Sequence, residues 1–179
     1  MNLPNKLTIL RIILVPVFVA CFYLPTVGAV YLAGAVFIIA YITDLLDGYI
    51  ARKYNLVTDF GKLIDPMADK LLTAAAMIML TAEGMCSPIA TLVTIGRELV
   101  ISAFRLVSAT QGVVIAAGKI GKLKTLTQFI GISLMLLGNP VFGRIGVPMD
   151  QIMIWTSVLL AVWSCTDYII RNVKVLKFE

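Results

Sequence analysis

The chain has 179 residues, of which 60% are hydrophobic and only 14% are charged, and it contains no histidine. Because soluble domains carry about 25% charged residues, this composition predicts a polytopic membrane protein. The lack of histidine excludes Ser-His-Asp triads and histidine-based zinc sites. The net charge of +5 is interpreted as membrane topology and contact with anionic lipid head groups, and no nucleic acid is expected as a partner.

Apolar runs predict an all-α integral membrane protein with six transmembrane helices, in a single domain that covers residues 1–179. The predicted spans are residues 7–23, 27–52, 60–82, 89–110, 125–138 and 151–170. A short interfacial N-terminal segment, residues 1–8, is expected to lead into the first span. Residues 111–124, which contain glycines and lysines, are expected to form a loop before the fifth span.

The basic residues fall almost entirely on one side of this predicted bundle. Six spans place both termini on the same side, and that side carries Lys6, Arg11, Arg52, Lys53, Lys62, Lys119, Lys122, Lys124, Arg171, Lys174 and Lys177. The opposite loops contain only Arg144. The positive-inside rule therefore predicts a multi-pass protein of the cell membrane with both termini in the cytoplasm.

Four carboxylates lie at the cytoplasmic ends of the second and third predicted spans. Asp44 and Asp47 are spaced i, i+3 and Asp65 and Asp69 are spaced i, i+4, so each pair shares one helix face. If these helices form an antiparallel hairpin, the four carboxylates converge near one membrane surface. Cations would relieve their repulsion, and all-oxygen ligands favour Mg²⁺ or Mn²⁺. Purely structural ion pairing is the alternative, but the nearby cations are too few to pair all four.

The complete pattern is D-x-x-D-G-x-x-A-R, eight further residues, and then G-x-x-x-D-x-x-x-D. It resembles the signature of the CDP-alcohol phosphatidyltransferase family at every defined position. The resemblance implies that an alcohol hydroxyl attacks CDP-diacylglycerol at the phosphorus that bears diacylglycerol, with release of CMP. It also implies a homodimer in the lipid bilayer, and the distribution of basic residues predicts that the active site faces the cytoplasm.

The same resemblance assigns roles to the residues of the motif. Asp44, Asp47 and Asp65 match metal ligands. Asp69, the last member of the same acidic metal cluster, matches the general base that takes the proton of the acceptor hydroxyl. The positions that match the lining of the CDP pocket are Gly48, Ala51, Arg52 and Gly61.

Basic residues near the cytoplasmic end of the bundle favour a phosphorylated acceptor. The candidates for binding its phosphate are Arg105, Lys122 and Lys124. The opening Asn2-Leu3-Pro4-Asn5, the Arg97-Glu98 pair and the segment Gly121-Lys122-x-Lys124-Thr125 resemble phosphatidylglycerophosphate synthases. That resemblance implies glycerol 3-phosphate as the acceptor; inositol phosphate, serine and another phospholipid are the alternatives.

Two further alternatives stay open at this point. The acidic cluster is also compatible with a divalent-cation transport protein, although a transporter needs its carboxylates near the bilayer midplane with access from both faces. Arg97 and Glu98 are adjacent on a helix and point about 100° apart. Each is therefore also explained by a structural pair with a neighbouring helix, without any role in binding substrate.

Overall fold

The computed structural model describes the backbone of residues 3–26, 28–53, 59–110 and 118–172, and the side chains of residues 7–26, 28–44, 67–109, 118 and 120–172. Within these ranges the protein is entirely helical, which confirms the predicted all-α class. The helices are α1 (Leu3–Cys21), α2 (Ala29–Lys53), α3 (Asp59–Ala82), α4 (Pro88–Thr110), α5 (Lys119–Leu136) and α6 (Met149–Asn172), with a 3-10 turn at Gly143–Ile145.

Two helices, α1 and α5, begin at least four residues earlier than the sequence predicts. The first, α1, begins at Leu3, so most of the predicted lead-in is helical; Pro4 is tolerated because a first-turn N–H has no helical acceptor. The fifth, α5, begins at Lys119, so the prediction of a loop through Lys124 is wrong. Lysine is a good helix former, and the extended residue Gly118 (φ −69°, ψ 159°) marks the start of α5.

Among the described residues, α6 is the one helix that is long and apolar enough to cross a membrane. Shorter apolar stretches lie in α1 and α2, at Leu7–Cys21 and Ala29–Asp44. The six-span topology and the cytoplasmic orientation of the termini stay predictions.

The main core contains buried residues from all six helices, and α3 supplies five of them, from Leu72 to Leu80. Phe18, Phe37 and Ile154 are fully buried in it. Gly131 allows a close approach of α5 to α6, because a Cβ at this position would lie 2.9 Å from the side chain of Ile154. The two helices therefore pack closely at Gly131.

A second, smaller core joins α4 to α6 through Ile101, Phe104 and Tyr168. The rings of Phe104 and Tyr168 meet edge to face, with centroids 5.5 Å apart. This contact aligns α4 beside α6. The polar residues of α4 are consequently held next to those of α5 and α6, where the candidate site lies.

Candidate active site

The first and last aspartates of the acidic motif are brought into electrostatic contact. Asp44 on α2 and Asp69 on α3 repel one another, and both also interact with the hydroxyl of Tyr41. No hydrogen bond or ion pair reaches the Asp69 carboxylate from the described part of the chain. An acidic group without such a partner, beside a second carboxylate, fits either a cation ligand or a proton acceptor.

The remaining two aspartates, Asp47 and Asp65, have side chains outside the described residues. The same holds for the predicted CDP-binding positions Gly48, Ala51, Arg52 and Gly61. Among the side chains that are described, no group of three or more metal-ligating residues occurs. The two described carboxylates fit part of an oxygen-ligand set, and the predicted metal site as a whole stays a prediction.

Asp44 has a basic partner that the sequence analysis did not assign to it. Arg11 on α1 is 1% exposed, and its Nη1 lies 2.6 Å from Asp44 Oδ1. The side chain of Asp44 is 28% exposed, so it is not completely enclosed. Arg11 therefore partly neutralises the acidic cluster from inside the protein.

A polar cavity of about 510 Å³ opens beside Asp69. Residues of α3, α4, α5 and α6 line it, with Gly118 at the start of α5. Its charged residues are Asp69, Lys70, Arg97, Glu98, Arg105, Lys122, Asp167 and Arg171. Five of these are basic and three are acidic, so the cavity suits an anionic ligand.

Two of the three predicted phosphate-binding residues face this cavity. Arg105 and Lys122 line it together with Asp69. The guanidinium of Arg105 also lies 5.7 Å from the centre of the Tyr168 ring, a cation–π contact that limits its orientations. The structure thus joins the predicted base to two of the predicted phosphate ligands.

Lys124 is placed differently from Arg105 and Lys122. It is 1% exposed and is not among the residues that line the cavity. Its Nζ donates to Glu98 Oε1 at 2.7 Å, so α5 is tied to α4 by a buried ion pair. The positive charge of Lys124 is therefore balanced by the carboxylate of Glu98.

Arg97 and Glu98 pair with neighbouring helices, as the structural alternative for them expected. Arg97 donates from Nη1 to Glu98 Oε1 at 3.0 Å and from Nη2 to Ser164 Oγ of α6 at 3.1 Å. One carboxylate oxygen therefore accepts from both Arg97 and Lys124. Unlike Lys124, however, both Arg97 and Glu98 line the cavity.

The sequence analysis assigned no site role to several residues of the cavity wall. Lys70 directly follows Asp69 on α3 and contacts Ser102 Oγ, while Arg171 pairs with Asp167 at 2.7 Å. In the sequence analysis, Arg171 counts only towards the predicted membrane topology. A signal for Lys70 was available, because it follows Asp69 directly in the motif.

A second cavity, of about 650 Å³ and mainly apolar, lies between α3 and α4. It shares Lys70, Glu98 and Arg105 with the polar cavity. The two cavities are therefore adjacent, with these three side chains between them.

Comparison with known proteins identifies relatives over nearly the whole chain. A model of the CDP-alcohol phosphatidyltransferase family matches residues 1–163. The chain is 42% identical to a CDP-diacylglycerol–glycerol-3-phosphate 3-phosphatidyltransferase of Bacillus subtilis, over 98% of this chain and 97% of the relative. Proteins of the same name in Rickettsia typhi and Shigella flexneri are 41% and 35% identical, over 93% and 94% of this chain and 94% and 93% of the relatives.

Proposed function

The chain belongs to the CDP-alcohol phosphatidyltransferase family, and on that premise we propose that it transfers the phosphatidyl group of CDP-diacylglycerol to glycerol 3-phosphate. The products are phosphatidylglycerophosphate and CMP. Relatives that bear the name of this activity cover nearly the full chain. The proposal treats residues 1–179 as one membrane domain.

One observation carries the choice of acceptor. Asp69, the proposed general base, lines the same cavity as Arg105 and Lys122. An acceptor that is both an alcohol and a phosphate needs a base and cations within one cavity. Serine carries no phosphate and would leave both cations without a ligand, so the cavity favours a phosphorylated acceptor. The activity for which the relatives are named favours glycerol 3-phosphate over inositol phosphate.

In the proposed reaction, Asp69 takes the proton from the acceptor hydroxyl. The hydroxyl oxygen then forms a bond to the phosphorus that carries diacylglycerol, and the phosphoanhydride bond to CMP breaks. CMP leaves with the electron pair of that bond. Arg105 and Lys122 hold the acceptor phosphate by charge-assisted hydrogen bonds, which orient the hydroxyl towards Asp69.

The donor side of the site is assigned from the motif. Asp44, Asp47 and Asp65, with Asp69 beside them, are the residues that would hold Mg²⁺ or Mn²⁺, whose charge would neutralise the pyrophosphate and favour departure of CMP. Gly48, Ala51, Arg52 and Gly61 are proposed to contact the CDP part. Arg11 contributes by limiting the repulsion within the acidic cluster through its pair with Asp44.

The proposed location is the cell membrane, with six spans and the active site facing the cytoplasm. Large apolar side chains on the outer faces of the helices support burial in lipid, among them Leu92, Leu99 and Leu106 on α4 and Leu159 on α6, which are 67–73% exposed. Such continuous apolar surface is rare on soluble monomers. A homodimer is also part of the proposal, and light scattering of the purified protein in detergent would test it.

The first experiment is CMP release by the purified protein in detergent with CDP-diacylglycerol and Mg²⁺. Glycerol 3-phosphate, inositol phosphate, serine and no acceptor are compared in parallel. Release that depends on glycerol 3-phosphate is expected. CMP release that depends on another acceptor would refute the acceptor assignment. If no CMP is released under any of the conditions, the enzyme assignment is refuted, and cation flux in proteoliposomes would be measured next.

A further inference from the structure

The wall of the polar cavity contains a guanidinium that is held in place by two other side chains. Arg97 is 13% exposed, and its two terminal nitrogens donate to Glu98 Oε1 and Ser164 Oγ. A Cβ at residue 121 would lie 3.4 Å from Arg97 Nη2, so Gly121 keeps the surface beside this nitrogen free of a side chain. Arg97 is therefore fixed in orientation before any ligand arrives.

Glu98 sets the charge of this wall. Its Oε1 accepts from Lys124 at 2.7 Å and from Arg97 at 3.0 Å, so one negative charge is shared by two positive ones. Lys124 is 1% exposed, and its ion pair with Glu98 is supplemented by attraction to Asp69. Arg97 has Ser164 as a second anchor and lines the cavity, so its guanidinium is the charge of this pair of cations that the cavity presents to a ligand.

From this geometry we infer that Arg97 is a further ligand of the acceptor phosphate, with Glu98 as the positioning residue that holds it. This inference rests on the proposed function of the cavity. Lys124 acts through Glu98 and does not touch the acceptor. The ligand chemistry is a phosphate monoester, which a guanidinium fixed in one plane binds well because little conformational freedom is lost on binding.

The variants that test this inference separate contact from positioning. Arg97→Gln removes the guanidinium. Glu98→Gln alone would leave Lys124 buried and unpaired and endanger folding, so the positioning variant is the double change Glu98→Gln with Lys124→Met, which removes both charges. Arg144→Gln, on an exposed residue of the connection between α5 and α6, is the matched control.

Steady-state kinetics in detergent are then measured with each substrate varied in turn. Arg97→Gln is expected to raise the KM for glycerol 3-phosphate by about tenfold or more, the effect of losing a charge-assisted hydrogen bond, with the KM for CDP-diacylglycerol nearly unchanged. The double variant is expected to raise the acceptor KM less. Adding Arg97→Gln to the double variant is expected to give less than the product of the two effects, because both act through one guanidinium.

The inference would be overturned if Arg97→Gln changed the KM for glycerol 3-phosphate no more than Arg144→Gln does. It would also be overturned if the effects of Arg97→Gln and of the double variant on this KM simply multiplied in the combined variant. Calorimetric titration with inorganic phosphate, without CDP-diacylglycerol, gives a readout that does not require turnover. Weaker phosphate binding in Arg97→Gln supports the inference even if glycerol 3-phosphate proves not to be the acceptor. CMP release by the unaltered protein that does not depend on glycerol 3-phosphate would instead count against the proposed function.

Discussion

Arg11 Nη1 on α1 lies 2.6 Å from Asp44 Oδ1 on α2, so the first aspartate of the family motif is paired with a buried arginine of the first helix. The sequence analysis counts Arg11 only among the cations that set membrane topology, whereas in the fold it is 1% exposed. Because Asp44 also repels Asp69, Arg11 lowers the electrostatic cost of bringing the acids of α2 and α3 together. The pair links helix packing to the chemistry of the site.

Arg11→Met is expected to destabilise the protein, because it leaves Asp44 without this partner beside a second carboxylate. Breaking a buried ion pair costs about 3–5 kcal/mol, and the 28% exposure of Asp44 places the expected loss near the lower end. Thermal unfolding in detergent measures it, with the exposed Arg144→Met as control and Arg11→Lys as the charge-preserving variant. Equal melting temperatures for Arg11→Met and Arg144→Met would contradict the prediction.

Asp69→Asn is expected to abolish CMP release while CDP-diacylglycerol and metal binding are largely kept. The amide cannot accept the hydroxyl proton, but it preserves the size of the side chain and relieves repulsion with Asp44. Turnover and equilibrium binding of donor and Mn²⁺ are measured on the same preparation. Lost metal binding together with residual turnover would show that Asp69 is a metal ligand and not the base.

Arg105→Ala is expected to raise the KM for glycerol 3-phosphate by about tenfold or more, with little change in the KM for CDP-diacylglycerol. Arg105 lines the cavity with Lys122 and Asp69, and the Tyr168 ring limits its orientations. Tyr168→Leu, which removes the ring but keeps the guanidinium, should have a smaller effect of the same kind. Equal increases in both KM values would contradict the assignment of Arg105 to the acceptor site.

Treatment with a chelator is expected to stop CMP release, and added Mg²⁺ or Mn²⁺ should restore it. The physical reason is the repulsion between the acids of α2 and α3 and the negative pyrophosphate that must bind beside them. Titration of activity against free metal concentration gives the apparent affinity. Full activity after exhaustive chelation would refute the metal assignment of Asp44, Asp47 and Asp65.

Gly131→Val is expected to reduce stability by about 2 kcal/mol more than Gly96→Val, because overpacking of a core contact typically costs about 1–3 kcal/mol. A Cβ at residue 131 would lie 2.9 Å from Ile154, whereas nothing lies within 4 Å of one at residue 96. Both glycines lie in helices, so replacing either one by valine changes the helix propensity by a similar free energy. Melting temperatures in detergent that shift equally would show that α5 and α6 separate without cost.

Sequence reasoning predicted the groupings of residues that depend on local spacing. Asp44 and Asp69 were assigned from a pattern that fixes positions on two helices, and the family they indicate is confirmed. Arg105 and Lys122 were selected as cations near one end of the bundle, and both line the cavity. Helix existence was also predictable, since apolar runs need no tertiary partner to be recognised.

Pairings between distant residues were not predictable in the same way. Arg11 and Asp44 are 33 positions apart, and nothing in either segment specifies the contact. Lys124 and Lys122 are neighbours in a basic segment, yet one is buried against Glu98 and the other faces the cavity. Two residues further along a helix turn the side chain by about 200°, so they meet different surroundings.

By itself, the sequence determined the all-helical class, the family and the acids of the motif, because composition and short-range spacing encode them directly. Only the tertiary structure decided which cations remain available to a ligand. The packing of α4 against α5 and α6 buries Lys124 on Glu98 and leaves Arg97, Arg105 and Lys122 in the cavity wall. The physical reason is that a buried charge requires a partner, and helix packing determines which side chain is close enough to provide one.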